Sequence, residues 1–268
     1  MNAKDKTKDK TNVIALLTDF GIADYYVGAM KGVILSVNPK ANIVDITHEI
    51  PAQNIASANF TLRACYRDFP KKTIFVAIVD PGVGSKRKAI MVETEDYFFI
   101  APDNGLLSFV FNETKNFRVI ELTNDKFFLS PISRTFHGRD VFAPCAAHLS
   151  NGIKPELFGL EINDYVSNAE KKPRALTENE TGAEIINIDR FGNIVTNLKS
   201  EDVPEYSAVN INENTIEKLY EHYSQAEESE VFMIWGSAGY LEISAYRDSA
   251  ADVLRAEIGQ SIELRKTR

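Results

Sequence analysis

The sequence predicts a mixed α/β protein with a mainly parallel sheet covered by helices, followed by a region of short strands that fits a small β-barrel or sandwich. Three observations predict this. Short apolar runs alternate with amphipathic helical patterns in the order β-α-β-α-β up to residue 80. The run Thr-Ile-Phe-Val-Ala-Ile-Val at 73–79 is almost continuously apolar, as suits a strand buried on both faces. Beyond residue 180 the helical periodicity thins and short β-prone segments with turn residues between them take over.

The elements follow in order. Residues 13–17 form an apolar strand ending in Thr18-Asp19-Phe20-Gly21, and Asp24 stands where it could cap the next helix. That helix carries Val27, Met30, Ile34 and Val37 at helical spacing and stops at Asn38-Pro39. A short strand at 43–46 leads into Thr47-His48-Glu49, and Ile55, Ala58, Leu62 and Cys65 mark a second amphipathic helix. The 73–79 strand delivers Asp80 to its C-terminal end, where Pro81 removes a backbone donor and Gly82 and Gly84 permit close approach or unusual backbone angles. Arg87 follows on the same turn.

A hairpin at 89–92 and 97–100 ends in Ala101-Pro102-Asp103-Asn104-Gly105. A short helix at 106–111, a strand at 117–122 and a helix at 141–149 come next, the last preceded by Thr135-Phe136-His137-Gly138-Arg139-Asp140, with Asp140 as its expected cap. The polar stretch 171–180, with Pro173, is the best linker. Strands are expected at 183–188, 194–198, 231–235, 240–244 and 261–264, with Asp189-Arg190-Phe191-Gly192-Asn193 turning between the first two. The expected domains are therefore 12–170 and 181–268.

Hydrophobic and charged contents of 44% and 25% are those of a soluble globular protein. A formal net charge of −8 argues against nucleic acid or an anionic membrane as a partner. The cysteines, Cys65 and Cys145, sit in apolar helical patterns and read as buried free thiols. No run is long and apolar enough to span a bilayer, and the charged N-terminal stretch reads as a frayed tail, so a cytoplasmic protein is expected.

Acids recur at predicted strand ends: Asp19, Asp45, Asp80, Asp103 and Asp189, with His48 and His137 in comparable loops. Singly, such acids also cap helices and favour turns. Jointly, Asp19, Asp80 and His137 fall on one edge of a parallel sheet, where α/β proteins bind ligands. Two chemistries could use that edge. One is metal-assisted phosphoester hydrolysis, though no Asp-x-His or His-x-x-x-His pair occurs and only 4 histidines are present. The other is metal-free, with Asp80, Arg87 and His137 around one water. No phosphate-binding loop or Gly-x-Ser-x-Gly elbow occurs.

Six motifs in order, Thr18-Asp19-Phe20-Gly21, Asp80-Pro81-Gly82-Val83-Gly84-Ser85 with Arg87, Ala101 to Gly105, Phe136 to Asp140, Asp189 to Asn193 and Ser237-Ala238-Gly239-Tyr240-Leu241, resemble the S-adenosyl-L-methionine (SAM) hydroxide adenosyltransferases, the SAM hydrolases related to fluorinase and chlorinase. The resemblance covers nearly everything from Val13 onward. It implies an N-terminal three-layer α/β sandwich, a C-terminal small β-barrel, and a homotrimer with SAM between the N-terminal domain of one subunit and the C-terminal domain of its neighbour. It implies attack of water on C5′ of SAM, giving adenosine and L-methionine, with SAM as substrate and no cofactor or metal. Asp80, Arg87 and His137 take the catalytic positions. Asp19 takes the ribose-diol position and Asp189 the methionine-ammonium position. Phe191 and Asn193 fall on the adenine side and Ser237 at the methionine end, with Asp24 and Phe136 also among the substrate-binding residues.

The chemistry agrees with that assignment. A sulfonium leaves as a neutral thioether and needs no general acid, so the barrier lies in orienting and partly deprotonating water. Asp80 can accept a hydrogen bond from water, Arg87 can stabilise hydroxide character, and His137 is the residue type best suited to take a proton near neutrality. The halogenating relatives carry Tyr at the Asp80 position and Ser at the Gly138 position, so no halide site is expected here. Ala238 replaces an Arg of the fluorinating relatives, and Gln53 sits near where relatives often place an aromatic ring. The competing readings are a non-catalytic SAM or adenosine sensor and a metal-dependent phosphoesterase.

Overall fold

The computed structural model describes residues 13–203 and 207–266; the tail expected over 1–12 lies outside them. The chain divides into two compact units between Glu170 and Lys171.

The first unit contains β1 (Val13–Thr18), α1 (Tyr26–Val37), β2 (Asn42–Thr47), α2 (Ile55–Cys65), β3 (Ile74–Ile78), β4 (Ala89–Thr94), β5 (Phe98–Pro102), α3 (Ser108–Glu113), β6 (Phe117–Glu121) and α4 (Ala143–Ser150). The strands form one sheet in the order β2-β1-β3-β5-β4-β6. Pairing is parallel from β2 through β5, and β4 joins β5 and β6 antiparallel. Strand alternation divides the central residues between two cores. Ile14, Leu16, Ile74, Val76 and Ile78 face one layer with Met30, Ile34 and Ala146. Ala15, Leu17, Phe75, Ala77 and Val79 face the other with Ala58, Leu62, Phe109 and Val110. Burial on both faces is why β1 and β3 read as continuous apolar runs, and it makes this unit three layers deep.

The helix starts differ from the sequence expectation. Tyr25, not Asp24, occupies the N-cap of α1 and makes no side-chain cap, and Asp24 is exposed. The expected 141–149 helix begins with a π turn, Gly138–Phe142, before α4. Asp140 lies inside that turn, fully buried, where it accepts from the Ser133 amide at 2.7 Å and pairs with Arg139. Its carboxylate ties the 129–135 loop to the turn instead of capping α4.

The second unit contains β7 (Arg174–Ala175), β8 (Glu180–Ile188), β9 (Ile194–Lys199), β10 (Ser207–Ile211), β11 (Asn214–Ile216), β12 (Leu219–Tyr220), β13 (Val231–Trp235), β14 (Tyr240–Ala245), α5 (Ala250–Leu254) and β15 (Ser261–Lys266). Among the described residues they form one sheet in the order β11-β10-β15-β8-β9-β14-β13-β12, with β7 on β8. Part of the polar stretch expected to be irregular is therefore paired. Register shifts in β8 between Ile185 and Asn187 and in β14 between Tyr240 and Glu242 bend the sheet, as bulges do, into a half-barrel. Its concave face packs Ile185, Ile194, Leu198, Val209, Leu241, Ile243 and Ile262.

Phe75 is fully buried and stacks on Phe99 with centroids 5.2 Å apart. Phe75→Ala should destabilise the first unit by about 3–5 kcal/mol, read as a lower denaturant midpoint. A midpoint equal to the parent's would show that this core is not packed as described.

Candidate active site

β1 and β3 are parallel neighbours, with Thr18 opposite Ile78. Asp19 and Asp80 therefore leave adjacent strands at the same C-terminal edge. The chain departs from β1 toward β2 and from β3 toward β5, so the strand order reverses between them. Such a switch point opens a crevice at the strand ends.

Asp80 and Arg87 are joined across the 81–86 turn. Arg87 Nε lies 3.0 Å from each carboxylate oxygen, and Nη2 lies 2.5 Å from Oδ2. Both side chains are nearly buried, at 6% and 10% exposure. Gly84 makes the turn possible. Its φ is +76°, and a Cβ there would stand 2.4 Å from the Arg134 carbonyl oxygen. Gly82 has only ordinary contacts around an added Cβ, so the close-approach argument holds for Gly84 alone. Asn104 supports the strand end by donating to the Val79 carbonyl at 2.8 Å.

The same guanidinium reaches His137, with Nη2 2.8 Å from Nδ1. A guanidinium only donates, so Nδ1 accepts and the neutral ring carries its proton on Nε2. Burial, and then the Arg87 charge, hold the His137 pKa below its ordinary value of 6.5, against smaller opposite effects of Asp80 and Asp140. The trio thus offers a carboxylate acceptor, a fixed cation and a neutral imidazole N–H donor. His137 sits at the N-cap of the π turn, a bulge type frequent at functional sites.

Asp19 accepts from the Gln53 amide through Oδ2 at 2.8 Å, and Gln53 adopts a φ of +64° to make that bond. The Asp19 loop is also held by His48. Its carbonyl takes the Gly21 amide at 2.8 Å, and its Nδ1 lies 2.9 Å from Thr18 Oγ1. His48 Nε2 is 3.1 Å from Asp45 Oδ1, close enough for an ion pair but not aligned as a hydrogen bond. His48 is thereby a buried strut of the loop. Phe136 packs edge-on against Phe20 and Tyr26, with centroids 6.0 and 5.1 Å away. Phe20, Met30 and Phe136 close around Gly138. Ile22 and Tyr25, at 78% and 65% exposure, leave an apolar rim beside the Asp19 loop.

In the second unit, Asp189, Phe191, Asn193 and Ser237 line one cavity of about 960 Å³. Asp189 shapes its own turn. Oδ1 accepts from the Phe191 and Asn193 amides at 2.8 and 2.9 Å, and Oδ2 from Asn193 Nδ2 at 2.8 Å. The cavity also includes Tyr223, Trp235 and Glu242, which the sequence reading missed. A signal existed: a lone acid within the apolar run 240–245 marks a side chain facing something other than the core. Burial, and then the Asp189 charge, raise the Glu242 pKa above its ordinary value. Among the described residues, no group of three or more His, Cys, Asp and Glu is arranged to hold a metal ion, and no helix is long and apolar enough to cross a membrane.

Residues 14–159 match the SAM hydroxide adenosyltransferase N-terminal domain, and residues 183–263 match the C-terminal domain of that family. The chain is 37% identical to an (R)-S-adenosyl-L-methionine hydrolase of Methanocaldococcus jannaschii, across 96% of this chain and 97% of the relative. It is 27% identical to a fluorinase of an Actinoplanes species, across 71% and 73% of the two chains. A crystal structure of an uncharacterized conserved protein from Thermotoga maritima superposes with a TM-score of 0.88 at 36% identity, covering 94% of this chain and all of that one.

The geometry makes His137 a reporter of Arg87. The parent ring should titrate below 6.5 by NMR, and Arg87→Gln should raise its pKa, because a neighbouring cation that opposes a second positive charge is gone. Between the lowered value and 6.5 the unfolded chain binds a proton that the folded one does not. This group's share of stability is therefore complete above 6.5 and lost on acidification. An unchanged His137 titration in Arg87→Gln would break the assignment.

Proposed function

The chain belongs to the SAM hydroxide adenosyltransferase family, and we propose that it hydrolyses SAM by attack of water on C5′, giving adenosine and L-methionine. The observation that carries this reading is one guanidinium holding a carboxylate and a neutral imidazole together at the β1–β3 switch point. Binding alone would not need that trio, which weighs against a sensor. The name of the Methanocaldococcus relative specifies the R configuration at sulfur, so the R epimer is the expected substrate.

Water rests on Asp80, whose oxygens keep lone pairs beyond those taken by Arg87. The new bond forms from water oxygen to C5′ as the C5′–S bond breaks and its electron pair stays on sulfur. The proton passes from water toward Asp80 and on to solvent. His137 donates from Nε2 and orients the water, since its Nδ1 is occupied by Arg87. In this reading proton acceptance falls to Asp80 more than to His137. The sulfonium is already an activated leaving group, so the reaction as proposed uses no cofactor or metal. Asp19 takes the ribose hydroxyls, with Phe136 and Asp24 beside it. Phe191 and Asn193 take the adenine side, while Asp189 and Ser237 take the methionine end.

The protein should release adenosine and methionine from SAM in the presence of EDTA. Oxygen from labelled water should appear at C5′ even in high chloride, because a carboxylate at the nucleophile position repels an anion by about 1 kcal/mol at 4 Å in water, and by several-fold more when desolvated. Asp80→Asn should keep SAM affinity within about three-fold and lose most turnover, since a neutral amide cannot make the charge-assisted bond to water. Bound but unreacted SAM would favour a sensor. Loss of activity to EDTA with recovery on adding metal would favour a metallohydrolase. Formation of 5′-chloro-5′-deoxyadenosine would overturn the water mechanism.

The same reading includes a cytoplasmic homotrimer whose sites lie between the first unit of one subunit and the second unit of its neighbour. The apolar rim of Ile22 and Tyr25 in one unit, and Phe191 at 76% exposure in the other, support it, because exposed aromatic surface beside a site favours a partner. Light scattering should give three times the 30.0 kDa chain mass, or a multiple of that. A fully active monomer would remove the shared site.

A further inference from the structure

Val79, the last residue before Asp80, is fully buried, and its carbonyl needs a donor. The β3–β5 register shows where that donor is due. Ile74 pairs with Phe98, Val76 pairs with Ile100, and the Phe98 amide donates to the Thr73 carbonyl. Odd-numbered residues along 73–79 therefore turn their backbone groups toward β5. In the same register the amides of residues 102 and 104 would serve the carbonyls of Ala77 and Val79. Residue 102 is a proline and has no N–H. Asn104 turns its own amide to the Pro102 carbonyl at 3.0 Å. The backbone ladder thus stops short of Asp80, and the Asn104 side chain supplies the missing bond, with Nδ2 2.8 Å from the Val79 carbonyl oxygen.

That carboxamide is itself held. Its Oδ1 accepts from the Leu106 amide at 3.2 Å, an Asx turn that leaves Nδ2 facing Val79. Next to it, the Asp103 amide donates to the Lys88 carbonyl at 2.9 Å, and Asp103 Oδ1 accepts from the Val166 amide at 2.8 Å. Lys88 follows Arg87 in the chain. The motif at 101–105, which the reaction as proposed leaves without a role, therefore braces the residue before Asp80 and the residue after Arg87. The ion pair alone fixes Asp80 only relative to Arg87, which the same turn carries. Asn104 ties the start of that turn to the sheet.

We propose that Asn104 is a positioning residue for the hydrolysis proposed above, on which this role rests. By holding the Val79 carbonyl it fixes the peptide plane from which Asp80 projects, and with it the direction in which the carboxylate meets water. Asp19 leaves the neighbouring strand and is held by Gln53 and His48 instead, so the ribose anchor does not depend on Asn104. Loss of the bond falls on turnover and spares binding.

The test compares Asn104→Ser and Asn104→Asp with the parent. A serine hydroxyl stands one atom too near its own backbone to reach Val79. An ionised aspartate keeps the shape and the Asx turn but has no donor. Both should lower kcat about ten-fold to a hundred-fold, the scale on which a misplaced reacting group slows an oriented reaction. Both should keep KM for SAM, and the dissociation constant of adenosine by calorimetry, within about three-fold, since the binding groups stay oriented. Rates are referred to folded protein, measured by near-ultraviolet circular dichroism at the assay temperature. A loss that vanishes with that correction, or that falls equally on kcat and on adenosine binding, would show a structural role only and overturn the proposal. A parent-like kcat in Asn104→Ser would overturn it too, and a slow Asn104→Asp beside it would then report repulsion between two oxygens. Should Asn104→Ser not fold, Asn104→Asp decides by the same constants. If the parent leaves SAM unreacted, the reaction falls and this role with it; an active parent beside an equally fast Asn104→Ser removes this role alone.

Discussion

One guanidinium holds the first unit's site together. Arg87 binds both oxygens of Asp80 and the Nδ1 of His137 while it is itself nearly buried. A buried ion pair is costly unless its hydrogen-bonding capacity is met. Here Nε and Nη2 are engaged by Asp80 and His137, and the Phe142 ring lies 5.3 Å from the guanidinium carbon. Lysine would not reproduce this, because an ammonium lacks the rigid planar fork that grips a carboxylate while turning a further N–H to the imidazole. The ring tautomer and the turn geometry both follow from this one contact.

That contact depends on the sheet. Asp80 sits at the end of a strand buried on both faces, so its backbone position is set by two hydrophobic cores and not by the loop. Asp19 leaves the neighbouring strand one crevice away, and its loop is tied back by Gln53 and His48. The site is thus anchored on strand ends held between two close-packed cores, where packing resists displacement. Orientation of a weak nucleophile requires such stiffness, since small misplacements raise the barrier to in-line attack.

The second unit solves a different problem. Its half-barrel buries one face of each strand, and from the other face Ile234 of β13 and Glu242 of β14, a cross-strand pair, enter the cavity lining. An acid such as Glu242 can stand there, because an outward position on a strand can be charged without disturbing the core. Asp189 instead serves the backbone, binding two amides and the Asn193 side chain to hold the turn that presents Phe191.

Much of this was legible in the residue order. Period-two and period-3.6 patterns marked the layers, and apolar runs marked the strands buried on both faces. The placement of Asp19 and Asp80 at one edge followed from the β-α-β order, while His137 joins Arg87 from the start of the π turn ahead of α4. Local patterns misled where tertiary partners competed for the same side chain. Asp24 and Asp140 looked like helix caps, yet one is exposed and the other is bound to Ser133 and Arg139. Glu242 was missed because its neighbours in the cavity, Gly236 and Asp189, are brought near it only by chain reversal at the β13–β14 turn and by cross-strand pairing. By itself the sequence determined which residues could carry charge and which faces would be buried, because those depend on composition and spacing along the chain. Only the tertiary structure decided which nitrogen of His137 bears the proton and which carboxylates are taken up by neighbouring amides. A hydrogen-bond partner is a matter of distance in space, and no spacing along the chain encodes it.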